Sequence, residues 1–204
     1  MSGGAGGVGG VSGVGGVEPR PADEALARLF LSSGDAAAFV TLVRRYRDRL
    51  RRLLWVILRS VEDVEDAEQE VLAGLYRSLG SFRFRSSFRT FLYRFARNKA
   101  LDLRRRRFRE QRRMEAAGQA ARMQAAADPP EDPDFGLQRE ERRRALWAAL
   151  GSLSDRERVL VLLKDVEDWS IEEIGAALSL PGGTVKSRLH RAREKLLALL
   201  GGAP

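Results

Sequence analysis

The segment Leu153–Leu200, LSDRERVLVLLKDVEDWSIEEIGAALSLPGGTVKSRLHRAREKLLALL, most constrains what this chain can fold into. Ser154 with Glu157, and Ser170 with Glu173, each set a hydroxyl three residues before a glutamate. That spacing lets two helix N-termini satisfy their own free amides. Leu180-Pro181-Gly182-Gly183 then forces a turn, and a last helix is expected from Thr184 to about Leu200. At about 100° per residue, Val185, Leu189, Ala192 and Leu196 share one side of it. Lys186, Ser187, His190, Arg191 and Glu194 point away, and Arg188 and Arg193 flank them. A helix, a tight turn and a basic second helix make a helix-turn-helix. Such a second helix fits the major groove, where Arg and Lys read guanine edges or hold phosphates. The same pattern also suits a solvated face.

The charge balance agrees with a polyanionic partner. Thirty-six Lys+Arg oppose 28 Asp+Glu in 204 residues, a formal net charge of +8. Only Lys99, Lys164, Lys186 and Lys195 are lysines; the rest are arginines, whose planar fork grips phosphate and guanine. The absence of cysteine excludes disulfides, thiolate metal sites and cysteine nucleophiles. His190 is the only histidine, so a multi-histidine metal site is excluded as well. It has no triad-like neighbours, so an enzyme is not expected, nor a cofactor or metal. No apolar run approaches a membrane span, and the start MSGGAGGVGG lacks the basic and leucine-rich parts of a signal peptide. A soluble, cytoplasmic chain that is monomeric when free is expected.

Helical periodicity runs through the rest, with no strand pattern and no internal repeat. Residues 1–20 read as a disordered glycine-rich tail. Phe39, Leu42, Val43, Tyr46, Leu50, Leu53, Leu54 and Ile57 mark an amphipathic helix. A second, from about Glu62 to Leu79, carries Val64, Ala67, Val71, Leu75 and Leu79 as its stripe, with Gly74 interrupting it. Its first half holds six carboxylates, Glu62, Asp63, Glu65, Asp66, Glu68 and Glu70, more than a helix dipole needs. After SFRFRSS, Ser86 or Ser87 caps a third helix with Phe88, Phe91, Leu92 and Phe95 inward. From Arg83 to Arg113 there are thirteen basic residues and two acids. Aromatic faces stack unpaired bases while Arg follows the backbone, although helically spaced Phe residues more simply form core. Residues 114–134, rich in Ala, Gln and Pro, read as a flexible linker, and a further helix is expected over about 138–150.

These segments resemble the extracytoplasmic-function (ECF) sigma factors, two-domain subunits of bacterial RNA polymerase. AFVTLVRRYRDRL, DVEDAEQEVLAGLYRSLGSFR and SSFRTFLYRFARNKALDLRRRR look like the successive parts of the family's sigma-2 domain. LSDRERVLVLLKDVEDWSIEEIGAALSLPGGTVKSRLHRAREKL looks like its sigma-4 domain. The resemblance covers about Asp23 to Leu200 and implies an all-α fold of two small helical domains. These are a sigma-2-like domain over 21–113 and a sigma-4-like helix-turn-helix domain over 135–200, with 201–204 a short tail.

The resemblance also implies roles. Glu62, Glu65, Asp66, Gln69 and Glu70 would dock on the clamp coiled coil of the largest subunit of core RNA polymerase. Phe82, Arg83, Phe84, Arg85, Ser86, Ser87 and Phe88, with Asn98 and Lys99, would recognise the minus-10 element and capture a flipped base of the melted strand. Thr184, Lys186, Ser187, Arg188, His190 and Arg191 would read the minus-35 duplex. Phe84 and Arg85 stand where family members often carry a glycine and an acid, and Gly74 where a larger residue is usual. An anti-sigma factor is a further implied partner. The alternative is a stand-alone helix-turn-helix regulator, which leaves the acidic helix and the aromatic-Arg loop without a purpose.

Overall fold

The computed structural model describes residues 22–116 and 148–200. Four helices form the first module: α1 (Asp23–Ser33), α2 (Ala36–Leu58), α3 (Val61–Ser78) and α4 (Phe88–Ala116). No strand occurs among the described residues. Gly34 ends α1 in the left-handed conformation at φ 69°, its amide reaching Phe30 O at 2.9 Å. One residue later Asp35 caps α2, its Oδ1 accepting from the Ala37 amide at 2.8 Å. Asp23 then fastens the first helix to the second, accepting from Arg45 at 2.6 Å and from the Tyr46 hydroxyl.

Ser60 caps α3 by accepting from the Asp63 amide at 3.2 Å. The expected stripe of Val64, Ala67, Val71, Leu75 and Leu79 is buried. A short 3-10 turn, Leu79–Ser81, leads into the loop before α4. The Gly74 position is where α3 and α4 touch. A Cβ there would lie 2.8 Å from Phe95 Cζ, so glycine trades helix propensity for close approach. The fourth helix is roughly 43 Å long at 1.5 Å per residue. Its first half is buried through Phe88, Leu92, Tyr93, Ala96, Ala100 and Leu103, and its basic second half is exposed. Met114–Ala116, assigned above to the linker, continue this helix.

The second module contains a helical stretch at 148–152, then α5 (Asp155–Val161), α6 (Ile171–Leu178) and α7 (Gly182–Leu200). Both expected capping boxes are present, Ser154 with Glu157 and Ser170 with Glu173. The α5 helix widens into a π turn at Leu162–Val166, a departure from the single helix expected to run to Val166. Gly175 lets the α6–α7 turn close, since a Cβ there would meet Leu180 O at 2.8 Å. Residues 117–134 of the expected linker, 135–147 at the start of the second domain with most of the helix expected over 138–150, and the expected tails 1–20 and 201–204 lie outside the described residues.

The two modules pack on each other, α2 against α5 and α4 against α6. Leu53, Leu54, Trp55, Val56 and Ile57 are all buried, because the second module covers the sides of α2 that its own module leaves open. Trp169 is fully buried, with its ring centroid 4.8 Å from Tyr93 and Arg89 stacked over it at 4.5 Å. Arg52 and Arg49 of α2 hold Glu167 at 2.7 and 3.3 Å. Arg89 meets Glu173 at 2.5 Å, Arg94 donates to Ala176 O, and Arg104 pairs with Asp155.

Candidate nucleic-acid and polymerase interfaces

Three charged surfaces follow from this packing. The first is the loop between α3 and α4. Phe82 is 4% exposed and Phe88 is fully buried; they face the core and shape the loop from beneath. Phe82 packs against Phe84 at 4.5 Å and Phe91 at 4.8 Å between ring centroids. Arg83, Arg85, Ser86 and Ser87 are exposed. Ser87 supplies the N-cap of α4, accepting from the Thr90 amide at 3.2 Å, while Glu24 accepts from the Phe88 amide at 2.9 Å. Phe84 has a left-handed backbone, φ 54°, which costs roughly 1–2 kcal/mol in a non-glycine residue. Its ring lies under the Arg28 guanidinium at 4.0 Å, and these contacts hold the strained conformation. Almost three helical turns into α4, Asn98 is exposed and Lys99 half-buried.

The second surface is the outer face of α3. Glu62, Glu65, Asp66 and Gln69 are exposed and Glu70 half-buried. Glu68 belongs to the interior instead, held by Arg47 at 2.8 Å and Arg51 at 3.4 Å. Part of the acidic face is already engaged by α4. Arg107 reaches Asp63 and Asp66, both at 3.0 Å, and Arg106 reaches Glu70 at 2.5 Å. Helical spacing within α3 alone could not reveal these pairs, since the partners lie 36 to 44 residues away in sequence.

The third surface is α7. Val185, Leu189 and Ala192 are buried as expected, and Lys186, Ser187, His190 and Arg191 are exposed. Arg193 pairs with Asp165 and Lys195 with Glu157 at 2.6 Å, so the helix is pinned to α5 and its π turn from the flanks of that polar face. Burial favours protonation of Glu157. Hydrogen bonds from Lys195 and from the Ser154 hydroxyl and amide outweigh it and hold the carboxyl down at about 2. Glu173 is likewise held below the ordinary carboxylate range, burial being outweighed by the Ser170 amide and Arg89.

A two-module chain with an acidic helix, an aromatic-basic loop and a helix-turn-helix also matches known families. Residues 42–110 match Sigma-70 region 2, and residues 143–196 match Sigma-70, region 4. The chain is 38% identical over 180 residues to the ECF RNA polymerase sigma factor SigE of Mycolicibacterium smegmatis, covering 86% of this chain and 68% of that protein. It is 33% identical over 172 residues to the ECF RNA polymerase sigma factor SigW of Bacillus subtilis, covering 81% and 90%. The chain belongs to the ECF family of RNA polymerase sigma factors. Among solved structures, this sigma factor resembles CnrH in complex with the cytosolic domain of CnrY. The identity is 26% and the TM-score 0.66, over 90% of this chain and 100% of that one. It shares the fold of the sigma factor RpoE in complex with the anti-sigma factor NepR from Bartonella quintana, at 24% identity and TM-score 0.67, over 81% and 98%. No helix among the described residues of this sigma factor is long and apolar enough to cross a membrane.

Proposed function

We propose that the three surfaces divide the work of promoter-specific initiation. Glu62, Glu65, Asp66, Gln69 and Glu70 dock core polymerase through the clamp coiled coil of its largest subunit. Arg83, Phe84, Arg85 and Ser86, with Asn98 and Lys99, contact the minus-10 element and hold a base out of the stack. Phe82, Ser87 and Phe88 build the loop that presents them. Thr184, Lys186, Ser187, Arg188, His190 and Arg191 enter the major groove at minus-35. The work is stoichiometric and cytoplasmic: the chain positions the polymerase and catalyses nothing itself.

The observation that carries this reading is the pairing of exposed basic surface on α7 with an exposed acidic face on α3 in one chain. A repressor needs only the first. Linking two weak DNA sites raises effective concentration and makes affinity depend on promoter spacing. Two elements about two helical turns apart, or about 70 Å, demand that the docked modules separate. The contact between them supports this. Trp169 Nε1 is buried without a hydrogen-bond partner among the described residues, a cost of about 1–3 kcal/mol that opening removes. An anti-sigma factor is proposed as a partner, because the similar sigma factor RpoE was solved in complex with the anti-sigma factor NepR.

Run-off transcription with core polymerase and a library of upstream fragments tests the reading. Specific initiation that disappears in Asp66→Ala/Gln69→Ala is expected. Tight duplex retention by the protein alone, without initiation, would favour a stand-alone regulator.

A further inference from the structure

Between the docked modules lies a cleft of about 470 Å³, within the range of small-molecule sites. Five arginines line it: Arg97, Arg104 and Arg105 from α4, Arg156 from α5 and Arg188 from α7. One carboxylate faces them, Asp155, already held by Arg104 and Arg158. Arg105 meets only the exposed Asp102 among the described residues, at 3.3 Å. Among the described residues, Arg97, Arg156 and Arg188 have no carboxylate partner.

Arg97 is half-buried, and both its burial and the charges of Arg156 and Arg105 work against its protonated form. Like charges converging in partly desolvated space repel, and an anion placed among them would turn that repulsion into attraction. Apolar side chains line the cleft beside these arginines: Ile57, Leu101, Val159, Leu178 and Leu180. A duplex cannot enter a space of this volume. A cleft lined by both guanidinium forks and apolar side chains suits a molecule with a flat, weakly polar part and a multiply anionic part.

We infer that this cleft binds a nucleoside diphosphate or triphosphate, its phosphates among Arg97, Arg156 and Arg188 and its base against the apolar side chains of the lining. Arg97 belongs to the first module and Arg156 and Arg188 to the second, so the ligand bridges them and stabilises the docked form. Arg188 also lies on the helix proposed to read minus-35. Given that proposal, occupancy and duplex binding compete. Binding to the free chain does not depend on it.

The test is calorimetric titration of the full chain with GDP, without magnesium and at constant ionic strength. Saturable one-to-one binding is expected. Arg97→Gln and Arg156→Gln should each weaken it by about tenfold or more, the worth of a charged hydrogen bond. Arg77→Gln removes an exposed arginine outside the cleft and should leave binding unchanged. Pyrophosphate should bind more weakly than GDP; equal affinity would overturn the nucleoside part. Absence of saturable binding, or equal loss in the Arg77 variant, would overturn the site altogether. Thermal melting without ligand gives a second readout. Arg97→Gln should keep or raise Tm, because a repelled cation has been removed, and a lowered Tm would make Arg97 a structural member and defeat the proposal.

Discussion

Arg52 and Glu167 tie the two modules together: Arg52 Nη2 lies 2.7 Å from a carboxylate whose side chain is 1% exposed. Arg49 lies 3.3 Å from the other oxygen of that carboxylate. A carboxylate this deep must keep its cations. Removing both would strand it in the docked form, while separation of the modules returns it to water. Arg49→Ala/Arg52→Ala should therefore disfavour docking by about 1–3 kcal/mol, below the value for fully buried pairs because both guanidiniums are partly exposed. The expected result is a larger radius of gyration by small-angle scattering with unchanged far-ultraviolet helicity. A parallel loss of helicity would show that the pair holds the fold and not the docking.

The acidic face of α3 is partly occupied by its own chain through Arg106 and Arg107. Exposed pairs of this kind are weak, because water and salt screen them. If the face docks polymerase, Arg106→Ala/Arg107→Ala frees Glu70, Asp63 and Asp66. Affinity for core polymerase, measured without DNA, should tighten by about twofold to tenfold at low salt. Unchanged or weaker affinity would place the docking contacts elsewhere.

Gly74 should respond to side-chain size. Alanine gains about 1 kcal/mol in helix propensity and meets the end of the Phe95 ring, 2.8 Å away, with Lys99 Cε at an ordinary 3.6 Å. Stability should change by less than about 1 kcal/mol in Gly74→Ala. Gly74→Leu overpacks the α3–α4 contact and should cost about 2 kcal/mol or more. Adding Phe95→Ala should recover part of that loss in denaturant titrations. A leucine variant as stable as the parent would show that the helices are free to part.

Acid should weaken the second module first. The folded-state pKa of Glu157 is depressed to about 2 from an ordinary 4.5. Its contribution is therefore complete above 4.5 and is lost as pH falls toward about 2. Tm should drop through that window in the parent, and the slope should flatten in Glu157→Gln. An identical slope in the variant would assign the acid transition to other carboxylates.

The helices and their starts were legible because they depend on near neighbours. Ser154–Glu157 and Ser170–Glu173 span three residues, and the inward set Val185, Leu189 and Ala192 follows from period alone. Long-range packing assigned the remaining roles. Periodicity marked Leu53, Leu54 and Ile57 but not Trp55 and Val56, whose burial needs a second module against α2. The continuous apolar run LLWVI was the available sign of that second contact. Phe82 and Phe84 look equivalent in sequence, yet one is core and the other holds a strained, half-buried loop position.

The order of charges, caps and apolar stripes by itself determined an all-helical chain and a helix-turn-helix, and the resemblance of whole motifs pointed to a polymerase-subunit family. Tertiary structure decided which charges remain free. Glu68, Arg89, Arg104 and Arg107 find partners 21 to 84 residues away, while Arg97 finds none among the described residues. Local pattern sets helix and face through interactions a few residues long. Pairing and burial are set by which faces meet, and the meeting of α2 with α5 and of α4 with α6 is a property of the folded chain alone.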